Sequence, residues 1–164
     1  VTGSTVTGSS DPLSTGITAD SNATVRHSAV RKMGTGLFAS GTGATFRNNT
    51  VVDSVGYGVR FGGELAAEDA LLQNTTIRNS GSDGVFVGGL SANRNVTIRS
   101  GEISGSGGHG INVTNAGTGP DATTVEDVVV TDNARDGVHL GDGVVDTTLR
   151  NVTLRSNEIG RAHV

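Results

Sequence analysis

Cysteine is absent from this 164-residue chain, proline occurs twice, lysine once, and four phenylalanines and one tyrosine are the whole aromatic complement. Without thiols there is no disulfide scaffold, no thiolate zinc site and no cysteine nucleophile. Positive charge is not in excess: the formal net charge is −4, so nucleic acid is not an expected partner. Apolar runs stay far below the roughly 20 residues of a membrane span, and insertion into a membrane is not expected. A signal-peptide pattern and an initiator methionine are both missing, which suggests a mature or excised piece of a longer chain. Abundant Gly, Thr and β-branched residues argue against helix. Regularly spaced apolar residues throughout argue against disorder.

What is present is a repeat. Six copies of a glycine followed by a short apolar strand open at Gly16, Gly36, Gly58, Gly84, Gly110 and Gly137, and Arg161–Val164 keeps the pattern without the glycine. The copies lie roughly 20 to 27 residues apart, the spacing of a solenoid. Aligned on the glycines, two more columns appear: Val1, Val25, Phe46, Leu72, Ile98, Val125, Leu149, and five residues later Val6, Val30, Val51, Ile77, Ile103, Val130, Leu154. Each turn therefore holds three short strands with alternating inward and outward side chains. Such strands satisfy their backbone only by pairing with the equivalent strand of the next turn. The expectation is one all-β domain over 1–164: a single-stranded parallel β-helix of about seven turns, roughly 34 Å long.

Between the first two strands of each turn stand His27, Asn48, Asn74, Ser100, Asp127 and Asn151. Asn, Asp and His tolerate the left-handed backbone of a sharp corner, and stacked amides can bond along the axis. We expect these asparagines to point inward as a ladder. On these features the chain resembles the right-handed parallel β-helix proteins of the pectate-lyase-like superfamily, a resemblance that covers essentially the whole sequence. It implies the fold and not one activity, because that fold hosts many. Neither end carries a polar cap, so continuation of the solenoid or end-to-end association is expected.

The residue before each glycine runs Thr15, Thr35, Tyr57, Asp83, His109, Asp136, Gly160. Consecutive rungs are about 4.8 Å apart, so Asp83 and Asp136 stand roughly 9.6 Å apart at Cα with His109 between. Carboxylates so placed can act as acid and base on a sugar, and a histidine titrates near neutrality. Asp83, His109 and Asp136 are the candidate catalytic residues. Two positions after the glycines come Phe38, Arg60, Phe86, Asn112, His139 and His163. Tyr57, Arg60, Phe86, Asn112 and His139 are the candidate substrate-binding residues. Ser82-Asp83-Gly84, Gly108-His109-Gly110 and Arg135-Asp136-Gly137 resemble the active-site turns of polygalacturonases. They differ in that Arg135 replaces the second acid, the histidine turn lies between the acid turns, and no Arg-Ile-Lys follows. The Asp-Pro-His-Asp signature of mannuronan epimerases is missing, although a Tyr, His and Asp set resembles theirs in kind. No particular glycosidase or epimerase follows. Ordinary turn chemistry also places Asp before Gly, with the glycine supplying positive φ.

No resident cofactor or metal site is expected. Calcium takes oxygen-rich loops, and Glu64, Glu68, Asp69, Asp142, Asp146 and the single half-repeat Gly117–Asp121 are of that kind, but solvated loops explain them as well. His109, His139 and His163 share a face. Arg26, Arg47, Arg99 and Arg150 form one outward stripe and Arg31, Arg78 and Arg155 another, able to hold an anionic polymer or to discourage sheet association. Asn-x-Thr sequons fall at Asn22, Asn48, Asn74, Asn95, Asn112 and Asn151, those on the ladder being expected buried. Two functions are consistent with these features: a secreted or cell-surface module that binds or processes polysaccharide, including an anionic one, and a structural or adhesive rod without catalysis.

Overall fold

The computed structural model describes residues 1–114 and 122–158; the Arg161–Val164 row, Gly160, His163 and the Gly117–Asp121 half-repeat lie outside them. Every pairing of named strands is parallel and joins equivalent strands of adjacent turns. Three sheets result, with six, seven and six strands, plus a two-stranded ribbon of Gly41–Thr42 and Ala67–Glu68. The first sheet runs from Thr24–Arg26 to Thr148–Arg150, the second from Thr5–Thr7 to Thr153–Arg155, and the third from Thr15–Ala19 to Val138–Leu140. Over the described residues this is a parallel β-helix of three strands per turn and about six turns; the seventh row that the sequence suggested, Arg161–Val164, lies outside them.

The register follows the sequence columns residue for residue. Val25, Phe46, Leu72, Ile98, Val125 and Leu149 are successive partners in the first sheet. Val6, Val30, Val51, Ile77, Ile103, Val130 and Leu154 are successive partners in the second. A one-residue slip would turn each apolar column to solvent, so burial fixes the register. Phe46, Phe61, Leu37 and Ile77 are fully buried, and the Phe46 and Phe61 rings meet at 6.1 Å between centroids in a tilted pair.

Two expectations are corrected. The corner residues His27, Asn48, Asn74, Ser100, Asp127 and Asn151 do adopt positive φ, but Asn48, Asn74 and Asn151 are exposed. A left-handed residue at this corner turns its own side chain outward and the following one inward. Asn74 donates to Asn48 at 2.7 Å and Asn151 to Asp127 at 2.7 Å, with Ser100 between the two pairs, so no continuous inward ladder forms there. Three buried asparagines, Asn49, Asn133 and Asn157, each stand one residue beyond a left-handed corner. Asn49 accepts from the Ser28 N–H and donates to the Val25 carbonyl. Asn133 donates its amide to Asn157 at 2.8 Å at the second corner. The sequons at Asn48, Asn74 and Asn151 are therefore accessible, not shielded.

The glycine column is corrected as well. None of its six members has positive φ. A Cβ on Gly36 would collide with the Val51 side chain and lie 2.5 Å from the Gly58 carbonyl oxygen; one on Gly58 would meet Ile77 and lie 2.6 Å from the Gly84 oxygen. Glycine is there because the second-sheet apolar column of the next turn fills the space a side chain would need.

Candidate functional site

The third sheet brings the candidate residues together. Its outward row is Thr18, Phe38, Arg60, Phe86, Asn112 and His139, each the register partner of the next. The pre-glycine residues stack beside it: the amides of Gly36, Gly58, Gly84 and Gly110 donate to the carbonyls of Tyr57, Asp83, His109 and Asp136 at 3.0 to 3.1 Å. One face thus has an aromatic end and an acidic, histidine-bearing end.

At the aromatic end Tyr57 stacks on Phe86 with centroids 4.9 Å apart. The Arg60 guanidinium lies 5.7 to 5.9 Å from the rings of Tyr57, Phe86 and Phe38. Its Nε donates to the Gly62 carbonyl at 3.1 Å, which orients the planar fork and leaves donors for a ligand. A cavity of about 410 Å³ opens here between Phe38, Ser40, Arg60, Gly63, Glu64 and Leu65. Leu65 and Glu64 come from the loop after Phe61, and sequence columns give no sign that they wall the face.

At the other end Asp83 is buried and both its oxygens are occupied. Oδ1 accepts the His109 backbone N–H at 2.8 Å and Oδ2 accepts the Asn112 amide at 2.9 Å. It holds the next turn in place. Asp136, also 6% exposed, is different. Its Oδ2 lies 3.4 Å from His109 Nδ1 and 3.5 Å from His139 Nδ1, contacts too poorly aligned to count as hydrogen bonds. Asp136 Oδ1, both Nδ1 atoms and Asn112 Oδ1 are buried without a hydrogen-bond partner among the described residues. The two imidazoles stack with centroids 4.5 Å apart. Burial holds the His109 imidazole below its ordinary value of 6.5; Asp83 pulls it back up, His139 pushes it down, Asp136 raises it and Arg135 lowers it. A second cavity of about 300 Å³, lined by Asp83, His109, Asn112 and Arg135 with backbone of Gly81, Gly107 and Gly108, adjoins this end.

All eight candidate residues therefore share one face. What the sequence did not reveal is that Asp83 is tied to its neighbours while Asp136 collects both histidines. That depends on side-chain rotamers, which spacing does not encode. The acidic loops are less concentrated than the histidine end. Glu68 accepts from Thr42 and Asp69 from Asn95, and the metal-capable trio that forms among the described residues is His109, Asp136 and His139. A depression of about 600 Å³ at the second corner, around Asp132, Asn133 and Glu158, brings no comparable set of groups together. The arginine stripes are partly neutralised by their neighbours: Arg78 pairs with Glu102 at 3.1 Å and Arg99 approaches Glu126 at 4.0 Å.

Residues 16–163 match the family model described as the right handed beta helix region. No curated protein matches the sequence. Among solved structures, the chain is similar to the A-module of the mannuronan C-5 epimerase AlgE4 of Azotobacter vinelandii, with 14% identity and a TM-score of 0.47. The alignment covers 84% of this chain and 54% of the other, so the chain spans about half the length of that structure. At that distance no chemistry carries across.

Proposed function

We propose that this chain, which belongs to the right handed beta helix family, binds a polysaccharide along the outward face of its third sheet and processes it at the Asp136 end. One observation carries the reading. The same sheet face presents an aromatic and arginine platform, an amide, two imidazoles and a buried carboxylate with an unspent oxygen, in two adjacent columns. Sugars present apolar ring faces and polar edges, and a binding site for them pairs flat aromatic surface with a few fixed polar groups. Tyr57 and Phe86 supply the flat surface. Arg60 supplies a fork for a carboxylate or sulfate, which fits an anionic chain. Asn112 and His139 meet the hydroxyls.

Of the two acids, Asp136 is the one with capacity for proton transfer, since Asp83 already serves two donors. His109, whose imidazole burial holds below its ordinary pKa, stands beside Asp136 to carry the proton. Bond cleavage by hydrolysis or elimination and epimerisation all need such an acid–base pair. On this reading the protein acts outside the cell, secreted or at the surface, where such polymers occur.

The test is a screen of uronate-containing and neutral polysaccharides for binding and for turnover. Binding with turnover that falls in Asp136→Asn and His109→Ala supports the reading. Turnover unchanged in both removes processing from this face. Absence of binding to every polymer, with the fold intact, leaves a rod without carbohydrate chemistry and sinks the proposal.

A further inference from the structure

The convergence of two imidazoles on one carboxylate oxygen calls for a partner other than a sugar. His109 Nδ1 and His139 Nδ1 both face Asp136 Oδ2, at 3.4 and 3.5 Å. Those distances are too long and too poorly aligned for good hydrogen bonds, yet they match another geometry. A tetrahedral ion bound at about 2.0 to 2.2 Å by nitrogen and oxygen has donor–donor edges of roughly 3.3 to 3.6 Å. The donor atoms all lie within 4.8 Å of one another.

The burial of unmet groups points the same way. Asp136 has a side-chain exposure of 8%, and its Oδ1 and both Nδ1 atoms are unpartnered among the described residues. Leaving these polar atoms dry and unpaired is costly, and a shared cation removes that cost. Asp136 and His139 belong to one turn and His109 to the turn before, so the site exists only when the two turns are stacked. The rings are close to parallel, 20° between planes, so closing on one ion requires a ring to turn about its Cβ–Cγ bond. His139, a third exposed, has the room.

We propose that His109, Asp136 and His139 form a binding site for a divalent first-row transition ion of the zinc class. Two imidazoles with one carboxylate favour such an ion over calcium, which takes oxygen donors. Three protein ligands leave a coordination position for water or a substrate oxygen, the pattern of a catalytic rather than a structural site. A cavity adjoins the trio on the His109 side, beside Asn112. Asp83 supports the site by fixing the His109 backbone. With an ion bound, Asp136 and His109 act through it rather than as bare proton carriers. The inference concerns the ion alone and stands whether or not a polysaccharide is the ligand.

The test is calorimetric titration of chelator-treated full chain with zinc chloride, beside calcium chloride, and cobalt(II) absorption as a second readout. Expected are one zinc per chain, a raised melting temperature, intense tetrahedral cobalt bands and no heat from calcium. His139→Ala, at the most exposed ligand, should keep the fold and weaken zinc binding at least tenfold, while His27→Ala leaves it unchanged. No saturable zinc binding, zinc binding that survives His139→Ala, or equal binding of calcium would overturn the proposal.

Discussion

Replacing Gly36 by alanine isolates the steric role of the glycine column. The backbone there is not left-handed, so alanine meets no φ penalty. Its Cβ would instead lie 2.5 Å from the Gly58 oxygen and against Val51. That oxygen accepts the Leu37 N–H at 3.0 Å, so the carbonyl cannot retreat without stretching the bond that joins the two turns. Overpacking a tight core costs about 1 to 3 kcal/mol, and a weakened backbone bond adds about 1 kcal/mol. The reduced freedom of the unfolded chain returns about 0.4 to 1 kcal/mol. The net expectation is a loss of about 1 to 3.5 kcal/mol, a fall in melting temperature of roughly 3 to 12 °C for a chain of this length. Gly141→Ala is the control: its nearest atom, the Val113 oxygen, is 3.4 Å away, an ordinary contact. It should stay within about 0.5 kcal/mol of the parent. The assay is a thermal melt with amide exchange at Leu37 and Val59, because solenoid turns can open locally. If Gly36→Ala melts with Gly141→Ala and exchange is unchanged, the close approach of the two columns is not what selects glycine.

Further outcomes follow from the same contacts. Phe46→Ala, which empties a fully buried ring site beside Phe61, should cost about 3 to 5 kcal/mol in chemical denaturation. Asp83→Ala strands the His109 N–H and the Asn112 amide and should cost about 2 kcal/mol or more. Asp83→Asn should recover most of that, because Asn112 can flip its unpartnered oxygen toward the new amide; equal loss in both variants would contradict the assigned bonds. Arg78→Ala breaks a pair whose side chains are 51% and 45% exposed, so its melting curve should shift by less than about 1 kcal/mol.

The fold was legible because a three-strand coil leaves a direct imprint. Val25 to Leu149 and Val30 to Leu154 alternate with polar neighbours at a constant offset, and any other register would expose them. The corners were legible in part. Positive φ was foreseeable at Asn48 and Asn74, but which face their side chains take is set by backbone geometry one residue on, where Asn49 and Thr75 are buried. The glycines marked the turn correctly while their reason, the approach of Val51 or Ile77 from the next turn, is a packing fact with no local signal. The site residues could be placed on one face from spacing alone. That Asp83 would be consumed by His109 and Asn112, leaving Asp136 to face both histidines, depends on side-chain torsions in adjacent turns.

The central claim is that ligand lies along the third sheet, and it is tested most directly by mapping amide and side-chain NMR shifts with an oligosaccharide of the polymer that binds best. The account predicts changes concentrated at Tyr57, Arg60, Phe86, Asn112 and His139, with the arginine stripes of the first and second sheets silent. Changes centred on Arg47 and Arg99 or on Arg31 and Arg78, with the third sheet unmoved, would contradict it.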